Sequence, residues 1–126
     1  MKTELSAGQA IYAMLSEALG EKVTKVFPVA AYDATLPYIV YGRTRLENTS
    51  AKGGNSAHAI MSVDVYAAAY AESVEIAEKV RETLDLTHSK EVGDMHVRFC
   101  RLYDASETWI ADAYCQSLSF DIAISY

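Results

Sequence analysis

The chain has 126 residues, two cysteines, and 11 Lys and Arg against 17 Asp and Glu, a net charge of −6. That length suits one domain, expected over residues 1–126, with enough surface to bury that no disulfide or metal staple is needed. No run approaches the ~18–20 apolar residues that cross a bilayer, no signal-peptide core is expected at the N-terminus, and the acidic balance argues against nonspecific nucleic-acid binding, which needs a basic surface.

The apolar fraction of 51% overstates the core, because it includes 19 Ala and 9 Tyr. Val, Ile, Leu, Met and Phe total 33, enough for one core. The rest of the apolar count is expected at strand ends and on a surface kept for neighbours.

The first predicted element is a helix over 5–19. Ala7, Ile11, Met14, Leu15 and Ala18 follow helical spacing. Ser6 with Gln9 fits a capping box, and Gly20 stands at the C-terminal glycine position. Val26 to Val29 reads as a short strand that Pro28 confines to an edge or a strand end. Asp33 to Pro37 is expected as a loop. A β segment then runs from Tyr38 to Leu46, rich in aromatic and branched residues at its start.

Residues 47–56 (ENTSAKGGNS) form the most turn-rich stretch and read as a polar hairpin loop. The following strand covers 57–67, with Ala59, Met61, Val63 and Val65 on one side and His58, Ile60, Ser62, Asp64 and Tyr66 on the other. Residues 70–86 form a second helix, with Val74, Ala77, Val80 and Leu84 as its stripe and Glu75–Lys79 as an i,i+4 pair. Glu72, Glu75, Glu78, Glu82 and Asp85 line its solvated side. A link over 87–93 leads to a strand over 95–103. Residues 104–108 read as a turn, and a last strand covers 111–124 with strict alternation.

The order is α-(β)-β-β-α-β-β, which predicts an α+β two-layer sandwich: an antiparallel sheet with two helices on one face. Val40, Met61, Val63, Val65, Val97, Phe99, Leu118, Phe120 and Ile122 are expected beneath the helices. The open face is expected to show Ile39, Tyr41, Arg43, Arg45, Ile60, Asp64, Tyr66, Arg98, Leu102 and Asp121. Such a face is either solvated, with cross-strand ion pairs, or a subunit interface. The large apolar groups favour the interface.

No motif carries chemistry. His58 and Asp64 share a strand face but stand six residues apart, roughly 20 Å at ~3.4 Å per residue. His88 falls in a polar link, and His96 and Cys100 are too far apart along one strand to share a metal. Cys100 and Cys115 read as two small half-buried thiols in a reducing compartment. No nucleophile elbow, zinc helix, P-loop or dinucleotide fingerprint is present, and Gly53-Gly54 reads as a loop tip. Catalytic, cofactor-binding and metal-binding residues are therefore expected to be none, and no enzyme is expected.

Several segments together resemble a known family: AIYAMLSEAL, VFPV, LPYIVY, VDVYA with the helix ending VRETL, and the closing QSLSFDI. The chain is similar, over nearly its whole length, to the tail completion or tail terminator-like proteins of long-tailed phages and prophages. The resemblance implies a structural protein without cofactor. Such proteins assemble as rings, commonly hexameric, that end the tail tube and offer a docking surface for head-tail joining. It implies as partners other copies of the chain, the tail tube protein and the head connector, with no membrane and no specific nucleic acid. The location is then the virion tail, and the host cytoplasm during assembly. Candidate contacts are Tyr41, Arg43, Arg45, Asn48, Lys52, Asn55, Ile60 and Tyr66. The alternative is a small dimeric α+β ligand-binding domain or an enzyme of unknown substrate.

Overall fold

In the computed structural model, residues 4–23, 25–31, 33–48 and 57–125 are described. A single 3-10 turn, Glu4–Ser6, leads into α1, Ala7–Leu19. Then come β1 (Val26–Pro28), β2 (Tyr38–Asn48), β3 (Ala57–Ala67), α2 (Tyr70–Leu84), β4 (Thr87–Val92), β5 (Met95–Ile110) and β6 (Ala113–Ser125). The six strands form one curled sheet in the order β1-β2-β3-β6-β5-β4.

The α+β class holds, but the sheet is mixed and the element order differs from the expected one. β1 runs parallel to β2, while every other neighbouring pair is antiparallel. The segment 87–93, read as a link, is largely the edge strand β4. Its THSKEV composition alternates poorly, because only its end is buried: Val92 packs inward and the residues before it are exposed or half-exposed. Residues 104–108, read as a turn, are the middle of β5. The true turn is Ala111-Asp112, a two-residue hairpin with φ of 54° and 58°. Glu47 and Asn48, read as loop, extend β2 and pair with His58 and Ala57. The rest of that loop lies outside the described residues.

Directly paired residues share a sheet face. The row Tyr41–Val63–Leu118–Ala105 therefore lies on one side. Tyr41 packs near Gly8 of α1, and Leu118 and Ala105 line a cleft with Val74 and Ala77 of α2. Both helices thus cover the same face. Between them and the sheet sits the core: Ile11, Leu15 and Leu19 of α1, Ile76, Val80 and Leu84 of α2, and Ile39, Met61, Val63, Val65, Val97, Phe120 and Ile122 of the sheet.

The helix stripes are close to expectation, with local corrections. Ser6 makes no side-chain cap: its backbone (φ −89°, ψ 5°) continues the preceding 3-10 turn and does not take the extended cap geometry. Gly20 is right-handed, so it supplies no left-handed stop. On α2 the fully buried line is Ser73, Ile76, Val80 and Leu84, with Val74 and Ala77 at its margin. Lys79 reaches Glu82, and Glu75 receives Lys22 from the end of α1.

The face assignments need a larger correction. Ile39 pairs with Val65 and is fully buried beneath the helices, whereas Val40 pairs with Asp64 and turns away from them. Tyr41, Arg43 and Leu102 likewise lie on the helix side, and Phe99 lies on the open side. The cause is irregularity in the ladder: β2 shifts register between Arg43 and Arg45, and β5 shifts twice, at Val97/Phe99 and Leu102/Asp104. Each bulge reverses which side the next residue faces.

Candidate interaction surfaces

The open face carries cross-strand rows of small and polar side chains. Two of them are Gly42–Ser62–Ser119–Asp104 and Val40–Asp64–Ser117–Ser106. Tyr38–Tyr66–Cys115–Thr108 and Arg45–Ile60–Asp121–Arg101 flank these. The polar groups are tied to one another. Ser117 Oγ donates to Asp64, His58 Nδ1 pairs with Asp121, and Tyr38 stacks on Tyr66 at 4.9 Å. Burial, with Cys115 and Asp64 beside it, pushes the Tyr66 hydroxyl up to about 12. Burial also raises the Cys115 thiol. Every buried side-chain N or O among the described residues has a partner. Among those residues no three His, Cys, Asp or Glu converge on one point.

The candidate contact residues are spread over this framework and do not form one patch. Arg45 and Ile60 are cross-strand partners on the open face, but Ile60 is only 4% exposed. Tyr66 lies farther along β3 and is half-buried. Tyr41 sits on the helix side, 6.0 Å from the Tyr12 ring, and burial raises its hydroxyl. Arg43 also points that way and donates from Nη1 to the Leu5 carbonyl at 3.2 Å. Asn48 ends β2 opposite Ala57. Lys52 and Asn55 lie outside the described residues.

A different surface escaped the sequence reading. Tyr70, Tyr103, Trp109 and Ile110 are among the few large apolar residues that stand exposed, and all belong to the start of α2 or the far half of β5. Trp109 meets Tyr114 edge-on at 4.8 Å, and Tyr70 meets Tyr114 edge-on at 5.6 Å. The Glu107 carboxylate lines the same cavity as these three rings. It accepts from the Tyr70 hydroxyl at 3.0 Å and from Gln116 Nε2 at 2.9 Å. The signal was the chain's one tryptophan, which falls between the stretch read as a turn (104–108) and the last predicted strand (111–124) and was given no element.

These surfaces suit contact with protein and offer no constellation for chemistry. Comparison with known families then decides the class. The profile of tail completion protein gp17 matches residues 9–122, almost the whole chain.

The chain belongs to the tail completion protein gp17 family.

As a tail completion protein it is a structural component of a phage tail and not an enzyme. The fold agrees with a solved assembly. A chain from the virion of a native gene transfer agent particle superposes with a TM-score of 0.70 at 18% identity, covering 94% of this chain and 96% of that one. Comparison with curated proteins gives no match.

Proposed function

We propose that this tail completion protein ends the tail tube as a homo-oligomeric ring and contributes to joining tail to head. The family match over 9–122 carries the reading. The likeness to a chain of a phage-like virion supports a place in the virion tail, reached after assembly in the host cytoplasm. Its partners are then other copies of itself, the tail tube protein and the head connector.

The surfaces support this physically. A face of small, internally satisfied polar groups and an exposed aromatic cluster provide two distinct surfaces for neighbours. Arg45, Tyr66 and the segment holding Asn48, Lys52 and Asn55 belong to the contacts on this reading. The net charge of −6 suits a DNA conduit, because a surface poor in cations releases few phosphate counterions and does not hold its cargo.

The test is assembly. Sedimentation of the purified chain at rising concentration, with and without tube protein, should show a closed oligomer. A chain that stays monomeric under both conditions contradicts the reading. Removing the gene from its particle should leave heads and tails unjoined.

A further inference from the structure

Two strands of the sheet are covered along only half of their outer side. β1 lies beside β2 at residues 39–41, and β4 lies beside β5 no farther than the pair Thr87 and Cys100. Residues 42–48 of β2 and 103–110 of β5 therefore have no strand on that side among the described residues. Such edges are templates for pairing, and neither stretch contains the Pro or Lys that commonly blunts one.

The two edges match in direction and in phase. Strands alternate from β2 through β3 and β6 to β5, so β2 and β5 run antiparallel. Ile39 donates to the Lys25 carbonyl and the Tyr41 carbonyl accepts from Val29, so both turn their backbone outward, and Arg43 continues the alternation. On β5 the two-residue turn makes Ile110 and Ala113 the closing hydrogen-bonded pair, which leaves Trp109 and Glu107 facing outward. The side chains agree as well. Arg43 pairs with the buried Met61, and Glu107 lies in the row of Ile39, Val65 and Gln116, so Arg43, Glu107 and Trp109 are all on the helix-covered face. Setting Arg43 opposite Trp109 brings Arg45 opposite Thr108 on the open face and, past the β2 bulge, Leu46 opposite Glu107.

This register fits a ring. The row of Arg43 ends at Leu102, six rungs from Trp109, so neighbours are offset by roughly 20 Å along the strands. The repeat is four strand spacings, β2 to β3, β6, β5 and the next β2, roughly 19 Å across them. The strands then incline by about 45° to the axis, close to the tilt at which sheets close into barrels. β1 of one copy stands end to end with β5 of the next, and β2 with β4 of the next, so each short strand fills the step left by the other. A head-to-tail contact of this kind closes when the rotation closes.

The chemistry along the two edges is complementary. Arg43 is exposed, and beside it a cavity of about 320 Å³ opens between the start of α1 and the end of β1, lined by Leu5, Gly8, Pro28, Val29 and Tyr41 among others. Trp109 is 56% exposed. Placed opposite Arg43, its ring enters this cavity and meets the guanidinium. Glu107 stands at the next position on the same face, a diagonal neighbour within reach of a long side chain. An aromatic ring and a carboxylate together suit an arginine.

We infer that the uncovered half of β2 in one copy pairs antiparallel with the uncovered half of β5 in the next, with Trp109 and Glu107 of that neighbour against Arg43. The occupant of both edges is thus a second copy of this chain. The inference rests on the ring reading above and specifies its seam.

The experiment places a disulfide across the seam. A chain carrying Arg45→Cys and Thr108→Cys should give, on mild oxidation, a ladder of linked copies on denaturing gels, because the two positions face each other where antiparallel strands approach closely. Arg45→Cys with Ala105→Cys, on opposite faces, should give none. In sedimentation, Trp109→Ala and Arg43→Glu should each weaken self-association by about 10–100-fold, and adding Glu107→Arg to Arg43→Glu should regain most of the loss, with circular dichroism verifying that each chain is folded. A wild-type chain that assembles while the Arg45→Cys, Thr108→Cys chain yields no ladder overturns the seam and leaves the ring reading standing. Trp109→Ala and Arg43→Glu chains that assemble like wild type overturn it as well. Loss of tube-protein capture with self-assembly intact assigns these edges to another partner and also overturns it. A wild-type chain that never assembles removes the ring reading and the seam together.

Discussion

The Asp85 carboxylate accepts the Leu102 N–H at 2.8 Å, at the point where β4 stops covering β5. The same carboxylate receives Arg81 Nε at 3.3 Å from the last turn of α2. One side chain therefore closes the C-terminal end of the helix, holds the helix to the sheet, and satisfies the first backbone donor left by the short edge strand. A residue that composition assigns to a solvated acidic face turns out to be a structural joint.

Replacing Asp85 by Ala leaves the Leu102 N–H without its acceptor. The expected loss of stability is about 1.5–3 kcal/mol, the range for a hydrogen bond to a charged group. Asp85→Asn keeps an acceptor oxygen and should lose less than half of that. Urea midpoints of the two variants at equal slope decide it.

The reversal of Ile39 and Val40 gives a second prediction. Ile39 is fully buried under the helices, whereas Val40 faces the open side. Ile39→Ala should cost about 2–5 kcal/mol and Val40→Ala about 1 kcal/mol or less. Equal costs would show that the first half of β2 does not have this register.

The β5–β6 turn places Ala111 and Asp112 at φ of 54° and 58°, a left-handed pair that suits Asn-Gly. Ala111→Asn with Asp112→Gly should raise stability by about 1 kcal/mol. A rise in thermal midpoint without loss of assembly is the expected readout.

Alkaline pH gives a fourth. Burial first, then the Asp85 and Asp121 carboxylates, push the Cys100 thiol up to about 12. Tyr66 is pushed to about 12 as well. Unfolded thiols and phenols titrate at about 8.5 and 10. Both groups stay neutral in the folded chain after the unfolded chain has lost those protons. The unfolded state then binds fewer protons, so stability is complete below pH ~8.5 and falls as pH rises toward 12. Denaturation midpoints taken across that window should decline. A thiol reagent at pH 8 should label Cys100 only on unfolding.

Much of the architecture was legible because it rests on period. The apolar spacing of α1 and the alternation of β3 and β6 set those elements within a residue or two, and Pro28 marked β1 as an edge or a strand end; β1 is an edge strand and Pro28 ends it. β4 and the far half of β5 were missed because they are edges. Their residues are mostly exposed, polar and apolar alike, and a strand without a buried face leaves no period to read. The open face was misjudged through Arg43, Phe99 and Leu102, each next to a bulge. A bulge is made by backbone pairing between distant segments, and a single strand's pattern does not contain it. Arg45, beyond one bulge, kept its expected face for that reason. The aromatic cluster required Tyr70, Trp109 and Tyr114 to meet across two elements.

The most direct test of the account is a cryo-electron reconstruction of tailed particles assembled with this chain carrying a small label. The account predicts label density repeated around the tube axis at its head-proximal end. Label at the distal tip, or particles that join head to tail without the chain, would contradict it.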